Sequence, residues 1–228
     1  MDELPVIPRL SKVREARVGF AVSTEYSENF LHTENGSDCF IFAGGRGQSG
    51  LIAVKETIET AALAYKVLTQ KKFYVEAQAH LITQLVKLIS RRIFRVRAKV
   101  GEVDVSLGII IFSGRYWWAV VAGNLALYRF NESKFDPIFP VTAIPVSPRL
   151  GSTKTVTVEP AGGQLLQNDC FIWTTPSLLL SLTQEVVAQM RAINSPASAQ
   201  QAADSLLKNT PNGTSAGSAV YLLQTTLL

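Results

Sequence analysis

The run of apolar side chains from Trp117 to Ala122 most strongly limits what this chain can fold into. Successive side chains of a β-strand point to opposite faces of the sheet, so a strand without polar positions must be covered on both faces. The run lies in a predicted strand, Tyr116–Phe130, which a short connection with hairpin-turn residue types joins to another predicted strand, Val103–Phe112. The sequence therefore predicts an antiparallel strand pair in a sheet that has a layer on each side.

A second short buried strand, Cys39–Phe42, is followed by the glycine-rich stretch Ala43–Gly50 and then by a helical pattern. We interpret this stretch as a turn that brings backbone close to a ligand, with the positive end of the helix facing an anion or phosphate. The alternative is a tight strand-to-helix corner that binds nothing. Because residues 39–55 include no carboxylate and no histidine, their side chains could not hold a divalent metal.

The other elements follow from hydrophobic periodicity and from proline and glycine positions. Helices are predicted at Leu51–Gln70, Phe73–Phe94, Leu178–Met190 and Ala197–Leu207, and further strands at Val13–Ser23, Lys154–Val158, Asp169–Trp173 and Ala219–Leu223. We predict a loop or hairpin tip at Thr24–Ser37, and an irregular or edge segment at Asn131–Pro148 because it contains four prolines. This order of strands and helix pairs indicates a layered α+β sandwich.

Composition supports a single compact domain over residues 1–228, since 47% of the chain is hydrophobic, 18% is charged, and no low-complexity tract is present. The net charge of +4 permits an anionic partner without requiring one. No apolar run is long enough to span a membrane and no signal core precedes the domain, so we expect a cytoplasmic chain. Cys39 and Cys170 are predicted to be small buried strand residues, with a disulfide or a reactive thiol as the less favoured alternative.

A basic segment follows the first predicted helix. Residues 77–101 include several Lys and Arg residues and no acidic residue. Within it, Lys87, Arg91, Arg92 and Arg95 form a candidate anion patch for phosphate, nucleic acid or a membrane surface. The simpler interpretation is a solvated helix end whose cations complement the helix dipole.

The element order and the residues at the strand ends resemble the metal-dependent protein phosphatases of the type 2C (PPM) family. The family's first-loop Asn-Glu-Asp corresponds to Ser27-Glu28-Asn29, its Asp-Gly-x-Gly-Gly to Ala43–Gly47, and its Gly-Asp-Ser-Arg to Gly123–Ala126. Its Arg-x-Leu-Gly corresponds to Arg149-Leu150-Gly151, its Ser-Asp-Gly to the end of Asp169–Ser177, and its Asp-Asn-x-Thr to Ala216–Val220. The resemblance implies a four-layer αββα sandwich of two antiparallel sheets flanked by helix pairs.

The same resemblance implies a changed active site, because the family's aspartates bind two divalent metals that activate a water. The corresponding positions here are Asn29, Ala43, Pro176 and either Ala216 or Gly217, and the family's phosphate-binding arginine has no counterpart. We therefore expect a pseudophosphatase that is not an enzyme and holds no metal or cofactor. The expected degenerate active-site positions are Glu28, Asn29, Ala43, Gly44, Gly45, Arg46, Asn124, Pro176 and Ala216.

The expected role is that of a protein-binding or regulatory module whose partner is a kinase, an active phosphatase or a phosphoprotein. Nucleic acid is disfavoured, since no stacking platform is interleaved with the basic residues. Two alternatives stay open. One is an anion or phosphate-ligand binding module using the Gly44–Gly47 turn. The other is a hydrolase of different chemistry on the same layered frame, with Thr174, Thr175 or Ser177 as its nucleophile.

Overall fold

The computed structural model describes the backbone of twelve stretches of the chain. They are residues 15–22, 28–34, 39–69, 77–113, 116–131, 134–140, 148–166, 169–176, 178, 183–193, 195–208 and 217–224. Its strands are β1 Glu15–Val22, β2 Glu28–Glu34, β3 Cys39–Arg46, β4 Val105–Ser113, β5 Tyr116–Ala122, β6 Ala126–Asn131, β7 Lys134–Phe139, β8 Ala161–Gln164, β9 Cys170–Thr174 and β10 Gly217–Gln224. Its helices are α1 Gly47–Thr69, α2 Ala77–Val100, α3 Gln184–Arg191 and α4 Pro196–Lys208.

The strands form two sheets in which every described pairing is antiparallel. Sheet I has the order β1-β10-β9-β6-β7, and sheet II has the order β2-β3-β4-β5-β8. Helices α1 and α2 pack on the outer face of sheet II, while α3 and α4 pack on the outer face of sheet I. The predicted α+β sandwich of four layers is confirmed.

Three apolar clusters fill the spaces between these layers, and strand β3 shows how one strand supplies two of them. Ile41 and Ala43 pack towards α1 and α2, whereas Phe40 and Phe42 pack between the sheets. Strand alternation produces this division, because a strand covered on both faces needs apolar residues at every position. The prediction that β4 and β5 lie in a sheet with two covered faces is confirmed.

The predicted strand Tyr116–Phe130 is wrong in one respect, because it is two strands in different sheets. Strand β5 ends at Ala122 in sheet II, and β6 begins at Ala126 in sheet I. Gly123 makes the change of direction with φ +87°, and a Cβ there would lie 2.7 Å from Ser106 Oγ. A continuous apolar pattern cannot reveal the break, since both strands are buried on both faces.

The predicted strand at Lys154–Val158 is also wrong. Val156 and Val158 are buried against the α1/α2 cluster, and the Val156 N–H donates to Ser90 Oγ on α2 at 3.1 Å. The alternation that suggested a strand comes from packing on a helix, not from pairing in a sheet. The edge strand β8 follows instead, where Gly162 and Gly163 lie under the rings of two tryptophans of β5.

Other boundaries shift by smaller amounts. The predicted loop Thr24–Ser37 contains β2, while the predicted edge segment is confirmed by β7, whose Pro137 lies at a register shift on the sheet edge. Helix α2 continues six residues beyond its predicted end, to Val100. Helix α3 begins later than predicted, where the Thr183 hydroxyl caps it by accepting from the Val186 N–H.

Both cysteines are buried and neither forms a disulfide, so their prediction as small core residues is confirmed. Burial raises the pKa of the Cys170 thiol to about 12, and the neighbouring Asp169 carboxylate adds to the rise. The neutral thiol is therefore the form that the fold holds. The burial of the neutral Cys170 thiol contributes its full stabilisation below the pKa of the thiol in the unfolded chain, roughly 8.5. This stabilisation is lost as the pH rises from there through the raised pKa of the folded chain.

We expect neither cysteine of the native chain to react quickly with a thiol reagent at pH 8, because the nucleophile is the exposed thiolate. Titration with Ellman's reagent should detect both thiols only after guanidinium unfolding. Rapid labelling of the native protein would contradict the burial of these side chains.

Gly108 of β4 packs against a side chain of the other sheet. A Cβ at this glycine would lie 2.8 Å from Cζ3 of the Trp173 ring, which belongs to β9 of sheet I and is fully buried. Gly108 therefore makes room for the largest fully buried side chain of the described core.

Replacing Gly108 with alanine should lower the free energy of unfolding by about 1–3 kcal/mol, because the rigid Trp173 ring cannot move away from the new methyl group. Urea denaturation would measure the loss. The double variant Gly108→Ala/Trp173→Phe is the control, since a smaller ring leaves space for the methyl group. Its destabilisation should be less than the sum of the two single effects, and strict additivity would contradict the predicted contact.

Candidate functional site

Most positions that the sequence singles out lie at one end of the sandwich. In sheet II the register pairs Asn29 with Gly45 and Gly44 with Ser106. In sheet I it pairs Thr174 with both Ala126 and Ser218. The chain crosses from one sheet to the other at this same end, between Ala122 and Ala126. Two sheets and one crossover therefore bring distant segments together.

Polar contacts join two of the phosphatase-like motifs here. Ser106 is buried, and its Oγ accepts from the backbone N–H of Asn124 at 3.1 Å. Arg149 Nη1 donates to Asp104 Oδ2 at 2.5 Å, and Leu150 exchanges two backbone hydrogen bonds with Val105. The stretches that begin at Gly123 and at Arg149 are thus held on either side of the start of β4. We call Gly44, Gly45, Asp104, Ser106, Asn124 and Arg149 the strand-end site.

Sequence reasoning missed Asp104 and Ser106. The available signal was that Ser106 is the one polar residue among the strongly apolar positions 105–112. A buried hydroxyl in such a strand needs a hydrogen-bond partner, and the neighbouring crossover supplies it.

The glycine-rich turn predicted after Phe42 is not a turn. Gly44 and Gly45 lie inside β3, and β2 and β4 pair with them on either side. Gly45 also packs against the first turn of α1, where a Cβ on Gly50 would lie 2.7 Å from the Gly45 carbonyl carbon. Backbone groups inside a sheet are paired with neighbouring strands, so they cannot cradle a phosphate. The corner interpretation fits this packing, and the binding-turn interpretation is wrong for these two residues.

The Ala43 side chain lies on the face of β3 that packs against the helices, not on the face that packs between the sheets. It is fully buried in the cluster beneath α1 and α2, whereas its neighbour Phe42 points between the sheets. A carboxylate at position 43 would therefore be buried under the helices and could not point into the opening between the sheets.

The remaining predicted positions divide into placed and undescribed ones. Asn124 and Pro176 are half-buried at this end. For Glu28, Asn29 and Arg46 only the backbone is described, and Ser177 and Ala216 lie outside the described residues.

The alternative threonine nucleophiles are not arranged for catalysis in the described part of the chain. Thr174 and Thr175 are buried, and the Thr174 hydroxyl donates to the Thr175 carbonyl at 3.2 Å. His80 is on the exposed side of α2, beside Gln84, and belongs to a different layer. His32 lies in sheet II, whereas Thr174 belongs to sheet I. His80 is therefore not placed as a base for Thr174, and of His32 only the backbone is described.

Asp169 serves the fold. It is fully buried, and its carboxylate accepts from Arg129 Nε at 2.9 Å, from Arg129 Nη2 at 2.6 Å and from Asn131 Nδ2 at 2.7 Å. The backbone N–H of Leu166 donates to it at 2.8 Å. With four donors, this carboxylate has no remaining role at the strand-end site.

The candidate anion patch lies elsewhere, along the middle of α2. Arg91, Arg92 and Arg95 are exposed and Lys87 is half-buried. Arg92 Nε donates to Glu56 Oε2 of α1 at 2.9 Å. The patch is therefore a feature of the outer helix layer and is separate from the strand-end site.

Solved structures match this architecture over nearly the whole chain. The catalytic domain of the serine/threonine phosphatase PstP, in complex with two manganese ions, matches with TM-score 0.70 and 14% identity, covering 92% of this chain and 99% of that one. PppA, a regulatory component of T6SS in Pseudomonas aeruginosa, matches with TM-score 0.69 and 14% identity, covering 92% and 99%. The PPM Ser-Thr phosphatase MsPP from Mycobacterium smegmatis, in complex with cacodylate, matches with TM-score 0.70 and 12% identity, covering 92% and 98%.

No family profile and no curated protein matches the sequence. The solved structures establish the fold, which is that of PPM-type serine/threonine phosphatases, and the resemblance found in the sequence is confirmed at that level. Among the described residues, no helix is long and apolar enough to cross a membrane.

The expectation that the chain is not an enzyme is contradicted, because the solved structures of this fold are serine/threonine phosphatases and point to an enzyme. That expectation rested on missing acids at aligned positions. The structure weakens its basis, since Ala43 faces the helices, the side chain of Asn29 is undescribed and Ala216 lies outside the described residues. Lost activity does not follow from the sequence.

The described donor set does not fit a pair of manganese ions. Among the residues that the structure describes, no three side chains of His, Cys, Asp or Glu form a group that could hold a metal. Asp104 is engaged by Arg149 at the strand-end site. Divalent cations of this kind need several converging oxygen ligands, so no chemical step is derived through a metal here.

We expect Ala43→Asp to lower the free energy of unfolding by about 3–5 kcal/mol, because an unpaired carboxylate would be buried beneath α1 and α2. It should bring no gain in manganese-dependent phosphatase activity over the unchanged chain. Urea denaturation and hydrolysis of p-nitrophenyl phosphate would measure the two effects.

Ala43→Asn is the matched control, since its amide has the size of the carboxylate without the charge and should cost less. A stable Ala43→Asp variant with increased activity would show that position 43 faces the reaction site.

Proposed function

We propose that this chain is a protein-binding, regulatory domain of the PPM phosphatase fold that recognises phosphorylated segments of its partner at the strand-end site. The observation that carries the proposal is the gathering of separate phosphatase-like stretches around Ser106 and Arg149. The fold adds support, because its solved examples are serine/threonine phosphatases.

The strand-end site offers groups that suit a phosphate. Arg149 has a planar guanidinium with five N–H donors, of which Nη1 is directed to Asp104. The Arg149 side chain is 20% exposed, so it lies at the surface while Asp104 fixes its orientation. The half-buried Asn124 adds a side-chain amide from the crossover. Charge-assisted hydrogen bonds from a guanidinium to a phosphate are among the stronger polar contacts in proteins.

A phosphoprotein is the partner class that this arrangement favours over a kinase or an active phosphatase. Recognition through a phosphate uses the strand-end site directly. Contact with the other two classes would need a protein surface that the strand-end site does not provide.

The proposal predicts that a peptide with one phosphothreonine binds the chain at least about tenfold more tightly than the same peptide with threonine, because the phosphate adds charge-assisted hydrogen bonds. Arg149→Lys should weaken phosphopeptide binding about tenfold, since an ammonium keeps the charge but loses the bidentate geometry. Isothermal titration calorimetry would measure both effects.

Arg95→Lys on α2 is the matched control and should leave phosphopeptide affinity unchanged. Phosphate release is measured in the same samples with and without manganese, because the fold is that of phosphatases. Equal affinity for the two peptides would overturn the proposal.

A further inference from the structure

The chain's positive charge is concentrated on one outer layer. Helices α1 and α2 together carry eight Lys and Arg residues against two Glu, whereas the whole chain has 22 against 18. The rest of the chain is therefore net negative. Helices α3 and α4 form the opposite outer layer, and each carries one acidic and one basic residue. The two outer faces of this symmetric sandwich thus differ sharply in charge.

The same layer also exposes apolar side chains. Four of the seven large hydrophobic residues that are exposed in the described part of the chain lie on it: Ile52, Leu63 and Val67 on α1, and Leu88 on α2. Leu63 is 65% exposed, whereas Leu81 and Leu85 of α2 are buried. Such residues have no role in the three internal clusters.

Two contacts show that these residues form one surface. The Ser49 hydroxyl donates to the Val100 carbonyl, and Arg92 bonds to Glu56, so the two helices run antiparallel. Leu63, two turns beyond Glu56, therefore lies within about one helical turn of the level of Leu88. The exposed Arg91 and Arg95 follow Leu88 along α2. We call Leu63, Val67, Leu88, Arg91, Arg92 and Arg95 the helix-pair face.

We propose that the helix-pair face docks an acidic, amphipathic helical segment of a partner protein. Its apolar side chains would cover Leu63, Val67 and Leu88, and its carboxylates would meet the arginines of α2. Charge complementarity selects this occupant, since α2 carries six basic residues and no acid. An amphipathic helix is the segment that presents apolar and acidic side chains on one narrow stripe.

The distribution of acids argues against a membrane surface. Glu56 and Glu59 lie on α1 among the exposed apolar positions, and an anionic lipid surface would repel them. A protein partner can meet each carboxylate with a single donor. The exposed large apolar residues on this face are aliphatic, whereas interfacial helices commonly add aromatic anchors.

The inference rests on the proposed function only in that the partner is a protein, and it concerns a different surface. The probe is a synthetic helix of Leu and Glu with one apolar stripe, titrated by fluorescence anisotropy at low and high salt. Two control peptides carry Lys in place of Glu, or the same residues scrambled so that no stripe forms.

We expect the Leu/Glu helix to bind, with affinity that falls as salt rises. Arg91→Glu/Arg95→Glu should weaken this binding at least about tenfold, because two attractive contacts become repulsive. Leu63→Gln should weaken it through lost apolar contact. The matched controls are Lys208→Glu on α4 and Leu166→Gln after β8, which should bind as the unchanged chain does. All substituted residues are exposed, and thermal melting would verify the fold of each variant.

Several results would overturn the inference. The Leu/Glu helix could fail to bind, or either control peptide could bind equally well. Sedimentation of the chain with anionic vesicles, abolished by Arg91→Glu/Arg95→Glu, would assign the face to a membrane instead. A concentration-dependent dimer abolished by Leu63→Gln would assign it to a second copy.

The two proposals fail separately. Arg91→Glu/Arg95→Glu should leave phosphothreonine-peptide binding unchanged, and Arg149→Lys should leave binding of the Leu/Glu helix unchanged. If the unchanged chain binds the Leu/Glu helix but binds the phosphothreonine peptide no better than the threonine peptide, the proposed function alone is refuted. The reverse result would refute the helix-pair face alone.

Discussion

The packing of the Trp173 ring against Gly108 joins the two sheets across the central layer of the structure. A side chain at position 108 would enter the Trp173 ring, so the sheets can approach only because this position has none. The ring then packs with Phe40, Phe42 and the other side chains between the sheets. Because the sheets are stacked, central strands such as β4 and β9 have one face in this central layer and the other face under a helix pair. The near-continuous apolar strands of the sequence are a consequence of that arrangement.

The sequence was sufficient to predict those elements whose pattern of apolar residues can arise from only one kind of secondary structure. The long helices and the β4–β5 pair belong to this group, and so does the edge segment that contains Pro137. Prediction failed where two causes give the same pattern. Val156 and Val158 alternate because they pack on α2, which a sequence cannot distinguish from pairing in a sheet. The crossover at Gly123 was hidden for a similar reason, since strands buried on both faces give no sign of where the chain changes sheets.

The candidate site was harder to predict than the fold because a site depends on which face a side chain occupies. A shift of one residue along a strand moves every side chain to the opposite face. Ala43 and Phe42 are neighbours, yet one lies under α1 and the other lies between the sheets. An alignment by motif can place the strand at the correct end of the sandwich. It can still be wrong about which of these two side chains points into the space between the sheets. Inactivity inferred from such an alignment is therefore weaker than the fold inferred from it, and the phosphatase structures of the same fold contradict it.

Helices α1 and α2 connect the helix-pair face to the strand-end site. Helix α1 begins directly after Gly45 and Arg46, at the end of β3, and Leu63 lies further along the same helix. Helix α2 is fastened at this end as well, because Arg97 donates to the carbonyls of Gly151 and Ser152, next to Arg149. A protein segment on the helix-pair face would therefore be held at a fixed distance from Arg149. One partner with an acidic helix and a phosphorylated segment could engage both surfaces, and the second contact would then be intramolecular and stronger than its isolated affinity suggests.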